Sequence, residues 1–268
     1  MLVKVNGHDT YCYTGGKEYD ANKPTAVFIH GAQHDHSVWV LQTRYFASHG
    51  YGVLAIDLPG HGRSKGTALT SVEAMADWIL ALLDTVGAKQ ATLIGHSMGS
   101  LIALETAARA PQRITHLALI STAYPMKVSE QLLNAARDDE PTAIAMVNRW
   151  SHSSVAQKPS SPGPGFFVMG ANRRLMEYVS RHSTEKIFFI DFSACNAYQN
   201  GLVAAAAVIC PTLFLLGKLD QMTPPKAAKS LISTIAHAQV TQIENSGHAI
   251  MAEQPDQVLD TLFQFATQ

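Results

Sequence analysis

Five residues, Gly95-His96-Ser97-Met98-Gly99, restrict what this chain can fold into more than any others. The apolar run Ala91-Thr92-Leu93-Ile94 leads into them, and the helix-forming stretch from Leu101 to Ala108 leads out. Strand, sharp turn, helix is the expected local structure. A serine at the tip of so tight a turn must take a strained backbone conformation, and side chains two positions to either side of it would collide. Glycine at 95 and at 99 removes those side chains. In this context the pattern predicts that Ser97 presents its hydroxyl above the end of a sheet.

The surrounding chain supplies the rest of such a sheet. Thr25 to His30, Val53 to Asp57, Leu117 to Ile120 and Thr212 to Leu216 are short and almost wholly apolar, as strands buried on both faces should be. Val3 to Val5 and Tyr11 to Tyr13 flank Asn6-Gly7, a hairpin signal. Helical stretches lie between the runs. The clearest opens with a capping box, Thr70-Ser71-Val72-Glu73, carries an apolar stripe from Val72 to Val86, and stops at Gly87. Alternating strands and helices predict an α/β fold with a mostly parallel central sheet flanked by helices.

The alternation fails between Ala123 and about Ile209. Helical patterns recur there (Gln131 to Arg137, Thr142 to Trp150, Asn172 to Arg181), and Lys158 to Gly165 reads as a loop by its prolines and glycines. The division expected is an α/β core of residues 1–124 and 209–268, with residues 125–208 inserted as a mainly helical cap over the strand ends. The aromatic residues of the insertion, Trp150, Phe166, Phe167, Phe188, Phe189 and Phe192, are divided between lining a pocket and forming the cap's own core.

Composition excludes several classes. Lys and Arg total 20 against 21 for Asp and Glu, a net charge of -1, which leaves no footprint for nucleic acid or an anionic membrane. No window approaches the length of apolar sequence a membrane span needs. Three cysteines, Cys12, Cys195 and Cys210, share no paired spacing, so free thiols and a cytoplasmic location are expected. The histidines at 30, 34 and 36 with Asp35 form no ligand set of fixed spacing, and neither metal nor cofactor is expected.

A serine hydroxyl is a poor nucleophile near neutral pH; it needs a base, and the base needs an orienting acid. Of 12 histidines, His248 stands in a loop just past the strand-like Val240 to Ile243 and before a helix beginning at Pro255. Asp220 follows the run Leu213 to Leu216, at a strand's carboxyl end, where sites on such sheets gather. The alternative place for the acid, Ser121-Thr122-Ala123-Tyr124, holds no carboxylate. Asp57, in Asp57-Leu58-Pro59-Gly60-His61-Gly62-Arg63-Ser64, is read as bracing its turn. Acyl transfer develops negative charge on the carbonyl oxygen, so backbone N–H donors must await it. Met98, at a helix N-terminus, is one candidate; Ala32, after the strand ending in His30-Gly31, is the other, with Gln33 in reserve.

Together Ile29-His30-Gly31, Asp57 to Ser64, Gly95 to Gly99, Leu216 to Asp220 and Ser246-Gly247-His248 resemble the α/β-hydrolase fold family, in its serine-nucleophile, cap-bearing branch. The resemblance spans the whole chain except the cap. It implies a triad of Ser97, Asp220 and His248, in that family's chain order. It also implies a small-molecule substrate, an ester, thioester or lactone, near Gln33, Trp150, Phe167 and Met222. His96, where carbon–carbon bond hydrolases of the family commonly carry asparagine, favours esters. A serine at 97 rather than an aspartate argues against dehalogenase or epoxide hydrolase chemistry. Carbon–carbon hydrolysis, perhydrolysis, hydroxynitrile cleavage and ligand binding without turnover are the competing readings.

Overall fold

A computed structural model describes residues 1–154 and 167–268. The loop read at Lys158 to Gly165 and the aromatic Phe166 lie outside the described residues. The chain begins with a hairpin of β1 (Leu2–Val5) and β2 (His8–Tyr13), paired antiparallel with Val5 opposite His8. Asn6 and Gly7 both take positive φ, +49° and +85°, as a two-residue hairpin turn of matching twist requires. Then follow β3 (Thr25–Ile29), α1 (Val40–Ser48), β4 (Gly52–Ile56), α2 (Val72–Thr85), β5 (Ala91–His96), α3 (Met98–Arg109) and β6 (Ile114–Ile120). Four helices come next: α4 (Glu130–Asp138), α5 (Glu140–Trp150), α6 (Val168–His182) and α7 (Ile187–Ala197). The chain closes with α8 (Gly201–Ala207), β7 (Thr212–Gly217), α9 (Lys229–Thr234), β8 (Ala238–Ile243), α10 (Ile250–Glu253) and α11 (Pro255–Ala266).

The strands form one eight-stranded sheet in the order β1-β2-β4-β3-β5-β6-β7-β8. It is parallel from β4 to β8, and β2 meets β4 antiparallel. Successive residues of each inner strand serve opposite faces. Val27, Ile29, Leu54, Leu93, Leu117 and Phe214 join one cluster with α2 and α3, whereas Ala26, Phe28, Val53, Ile94, Ala118 and Leu215 join a second. The second cluster holds Trp39, Phe46, Val258 and Leu262, from the segments that open and close the sheet's other face. Both faces are thus sealed by apolar area, which explains why these strands carry almost no polar residues.

Helix α2 begins one residue later than a Thr70 cap would place it. Ser71 Oγ accepts from Ala74 N, and Gly87 at φ +71° ends the helix. Ser71 wins because its side chain, not Thr70's, reaches the free N–H groups of the first turn. Helices α7 and α8 have no counterpart in the sequence patterns. Helix α7 is apolar nearly all round, so it shows no stripe. Helix α8 packs against α3 and α9 beside the sheet, not with α4–α7.

Candidate active site

Ser97 lies at the turn between β5 and α3 with φ +53°, a conformation few non-glycine residues adopt. The flanking glycines are obligatory on steric grounds. A Cβ on Gly95 would lie 2.1 Å from the Gly99 carbonyl oxygen, and one on Gly99 would lie 2.4 Å from that of Ile29. The first contact crosses the turn; the second shows that β3 runs directly under the start of α3. The N–H of Ser97 donates to Ile120 O at 2.9 Å, anchoring the turn to β6.

Asp220 and His248 meet as expected. His248 Nδ1 donates to Asp220 Oδ2 at 2.9 Å, with both residues buried. Asp220 Oδ1 accepts from Met222 N and Thr223 N, each at 2.8 Å, so the carboxylate is aimed by its own loop. Thr223 completes the arrangement: its Oγ1 lies 2.8 Å from Asp220 Oδ2, 2.8 Å from Ser121 O and 3.0 Å from His248 Nδ1. A third glycine permits the meeting, because a Cβ on Gly217 would lie 2.1 Å from Gly247 O. The loop carrying His248 is also tied down by buried Glu253, whose Oε1 accepts from Gly247 N at 2.7 Å.

His96, the residue before Ser97, holds the histidine loop too. His96 Nε2 donates to His248 O at 2.9 Å. Burial, with His248 nearby, holds the pKa of His96 well below the usual histidine value, so the ring is neutral. His248 Nδ1 is engaged by Asp220, and Nε2 makes no hydrogen bond among the described residues. Ser97 Oγ likewise makes none among them; in unliganded sites this contact is often long.

Ala32 N and Met98 N have no acceptor among the described residues, whereas Gln33 N does: it donates to Asp191 Oδ2 at 2.8 Å. Gln33, at φ +60° and fully buried, sends its side chain away from Ser97 into the helical insertion. There its Nε2 faces Met176 O (3.0 Å) and Ser180 Oγ (2.6 Å) on α6, and Glu140 Oε1 (3.1 Å) on α5. Gln33, expected near substrate, thus turns its Nε2 to α5 and α6 and ties them to the loop after β3, while its buried Oε1 has no hydrogen-bond partner among the described residues. Asp191, on α7, also accepts from His61 Nε2 at 2.9 Å. Burial disfavours charge on His61, but the adjoining Asp191 carboxylate outweighs it and holds the ring's pKa above the usual value. Its neighbour His30 is pulled down to about 4, by burial and then by the charge of His61.

Asp57 braces its turn, as the sequence implied: Oδ1 accepts from His36 N and Nδ1, and Oδ2 from Arg63 N. Asp35, His36 and Asp57 bring one potential metal-ligating atom each within 4.8 Å of one another. Those atoms already serve the turn, since Asp35 Oδ1 also accepts from Ser37 N and Oγ.

A cavity of about 400 Å³ opens beside His248 and His96. Its walls come from α1 (Val40, Leu41, Gln42), α6 (Val168, Ala171, Asn172, Leu175) and the segment from Ala249 to Pro255. Trp150, Phe167 and Met222 do not line it. Phe167 is 53% exposed, and Trp150 and Met222 are half-buried against the larger core cluster. Phe188 and Phe192 are buried in that cluster as well, together with strand, α2 and α3 residues, so they pack α7 onto the main core.

Residues 26–261 match the model of the alpha/beta hydrolase family. The chain belongs to the alpha/beta hydrolase family. It is a hydrolase enzyme, in keeping with the relatives it resembles. It is 26% identical over 242 residues to the (E)-2-((N-methylformamido)methylene)succinate hydrolase of Acinetobacter baylyi, covering 87% of this chain and 86% of that one. Its fold is that of the enol-lactonase from Burkholderia xenovorans LB400 (TM-score 0.85, 23% identity, 100% of both chains). The esterase EaEST from Exiguobacterium antarcticum shares it (TM-score 0.84, 18% identity, 100% of this chain and 99% of that one). Among the described residues, no helix is long and apolar enough to cross a membrane.

Proposed function

We propose that this member of the alpha/beta hydrolase family is a cofactor-free serine hydrolase that cleaves a small carboxylic ester, thioester or lactone through an acyl-enzyme on Ser97. The observation that carries the reading is the pair His248–Asp220, 2.9 Å apart and buried, beside a serine held at φ +53° above a helix N-terminus. In this reading Ser97 Oγ attacks the carbonyl carbon as His248 Nε2 takes its proton. The carbonyl oxygen, now negative, is received by the free N–H groups of Ala32 and Met98, aided by the positive end of α3. The bond from the carbonyl carbon to the leaving oxygen, or to sulfur in a thioester, breaks, and His248 returns the proton to that atom. Water, activated by His248, then releases the acid. Asp220 holds the imidazole's tautomer and stabilises its cation.

Helices α4–α7 act as the cap, fastened to the loop after β3 through Gln33. The three cysteines, all free and buried, support a reducing, cytoplasmic setting. Two measurements test the reading: turnover of p-nitrophenyl butanoate, and labelling by a fluorophosphonate with the adduct mapped by peptide analysis. Labelling at Ser97 that vanishes in Ser97→Ala is expected. A protein that binds esters but neither turns them over nor labels would be a receptor on this scaffold.

A further inference from the structure

We propose that the cavity beside His248 is the subsite for the leaving alcohol, not for the acyl group, and that it takes a mostly apolar alcohol carrying one acceptor oxygen, read by Gln42. The inference rests on the serine-hydrolase reading above. In that chemistry the two halves of the substrate are sorted by the groups that serve them. The carbonyl oxygen must reach Ala32 N and Met98 N, whereas the leaving oxygen must reach His248 Nε2 to receive its proton. The cavity is lined by His248 and His96 and by neither Ala32, Ser97 nor Met98. Nδ1 is engaged by Asp220, so Nε2 is the ring nitrogen free to serve a leaving oxygen. Deacylation makes the same demand: the attacking water must stand where the leaving oxygen stood. A cavity that reaches the surface at Val40 and Leu41, which are 38% and 43% exposed, admits that water once the alcohol has left.

The walls define the occupant. Val38, Leu41, Val168, Leu175 and Met251 give an apolar surround, and about 400 Å³ is room for a ring system rather than a methyl or ethyl group. Gln42 breaks that surround. It is 1% exposed and lines the cavity, and its Nε2 has no hydrogen-bond partner among the described residues. A buried amide N–H without an acceptor is costly, and an ether, hydroxyl or carbonyl oxygen on the alcohol removes that cost.

The test is a matrix of esters. One series holds the acyl group as butanoate and varies the alcohol: methyl, cyclohexyl and tetrahydropyran-4-yl, the last two alike in shape but for one ring oxygen. The other series holds the methyl alcohol and varies acyl length. Ala171→Trp fills the cavity from an exposed position, and Leu41→Trp does so from the opposite rim should the first variant fold poorly. Either is expected to lower the cyclohexyl-to-methyl ratio of kcat/KM at least tenfold while the ranking of acyl lengths holds. Gln42→Leu should lower the tetrahydropyranyl-to-cyclohexyl ratio about tenfold. A shifted acyl ranking would assign the cavity to the acyl group and overturn the proposal. Unchanged ratios in the tryptophan variants would remove the cavity from the substrate's path. A tetrahydropyranyl ratio unmoved in Gln42→Leu would overturn the role of the oxygen. Fluorophosphonate labelling of Ser97 in every variant separates these failures from failure of the serine-hydrolase reading, in which no labelling occurs at all.

Discussion

Gln33 N donates to Asp191 Oδ2 at 2.8 Å, joining positions 158 residues apart in sequence. The bond links the loop after β3 to α7 at the point where the main chain turns through φ +60°. It also engages Gln33 N, whereas Ala32 N, the donor proposed above, has no acceptor among the described residues. His61 shares the same carboxylate oxygen, and its two ring nitrogens both face acceptors, Asp191 and Pro59 O. Helix α7 is thus tied through one buried carboxylate both to the loop after β3 and to the turn that carries His61.

Asp191→Ala should therefore affect stability and rate together. It strands two buried donors, Gln33 N and His61 Nε2, each costing roughly 1–3 kcal/mol when left without a partner. The loop loses the bond that sets its backbone, so kcat on p-nitrophenyl butanoate should fall about tenfold or more, beyond any change in KM. Thermal unfolding and steady-state kinetics check this. A variant that melts earlier but keeps full kcat would show the bond to be a fastening alone.

Ser97→Ala should keep the melting temperature within a degree or two and lose roughly 10³-fold or more in kcat/KM, the usual consequence of removing one member of such a triad. The alanine inherits the strained φ, so the fold pays nothing new. His248→Ala should be similarly damaging. Asp220→Asn should cost less, because the base remains in place with a mis-set tautomer. If Asp57→Asn were the inactive variant instead, the acid would be misassigned.

The sheet and the three proposed catalytic residues were legible in the sequence because each is written locally. Short apolar runs alternating with helical patterns read as strands buried on both faces, and a serine between two glycines at such a strand's end reads as a sharp turn. Strand ends then place Asp220 and His248. What stayed hidden depends on chain crossings. Thr223 is an ordinary threonine until Ser121 and His248 arrive beside it from 102 and 25 residues away. Gln33 sits in the expected loop, yet its side chain turns toward α5 and α6, which no local pattern records. Helix α7 lacked a stripe because it is apolar nearly all round and buries even its one carboxylate, Asp191.

Thr223→Val should expose the value of that threonine. The hydroxyl stands within 3.0 Å of both the carboxylate and the imidazole, and valine keeps its shape while removing the polar atom. A fall in kcat of about 3- to 30-fold with KM nearly constant is expected, from a hydrogen bond worth roughly 1–2 kcal/mol. Thr223→Ser, which restores the hydroxyl, should recover most of the loss. Failure of serine to recover it would trace the effect to packing.

Stability should fall on the acid side of neutrality. His30, His34, His96, His116 and His152 all have pKa values lowered chiefly by burial, His30 to about 4. Above the unfolded value of about 6.5 these rings are neutral in both states and contribute nothing. As the pH drops below it, the unfolded chain takes up protons that the folded protein refuses, and stability is lost until the folded values are reached. His61 works the other way. Its pKa is raised, so its pairing with Asp191 adds stability below about 6.5 that fades as the pH rises through the folded value. Five groups against one make acid the destabilising direction. The melting temperature at pH 5 should lie roughly 5–10 °C below that at pH 7. Asp191→Asn, by removing the opposing contribution of His61, should steepen the drop. A profile that stays flat from pH 7 to pH 5 in the wild type would mean that these histidines are not held neutral by burial.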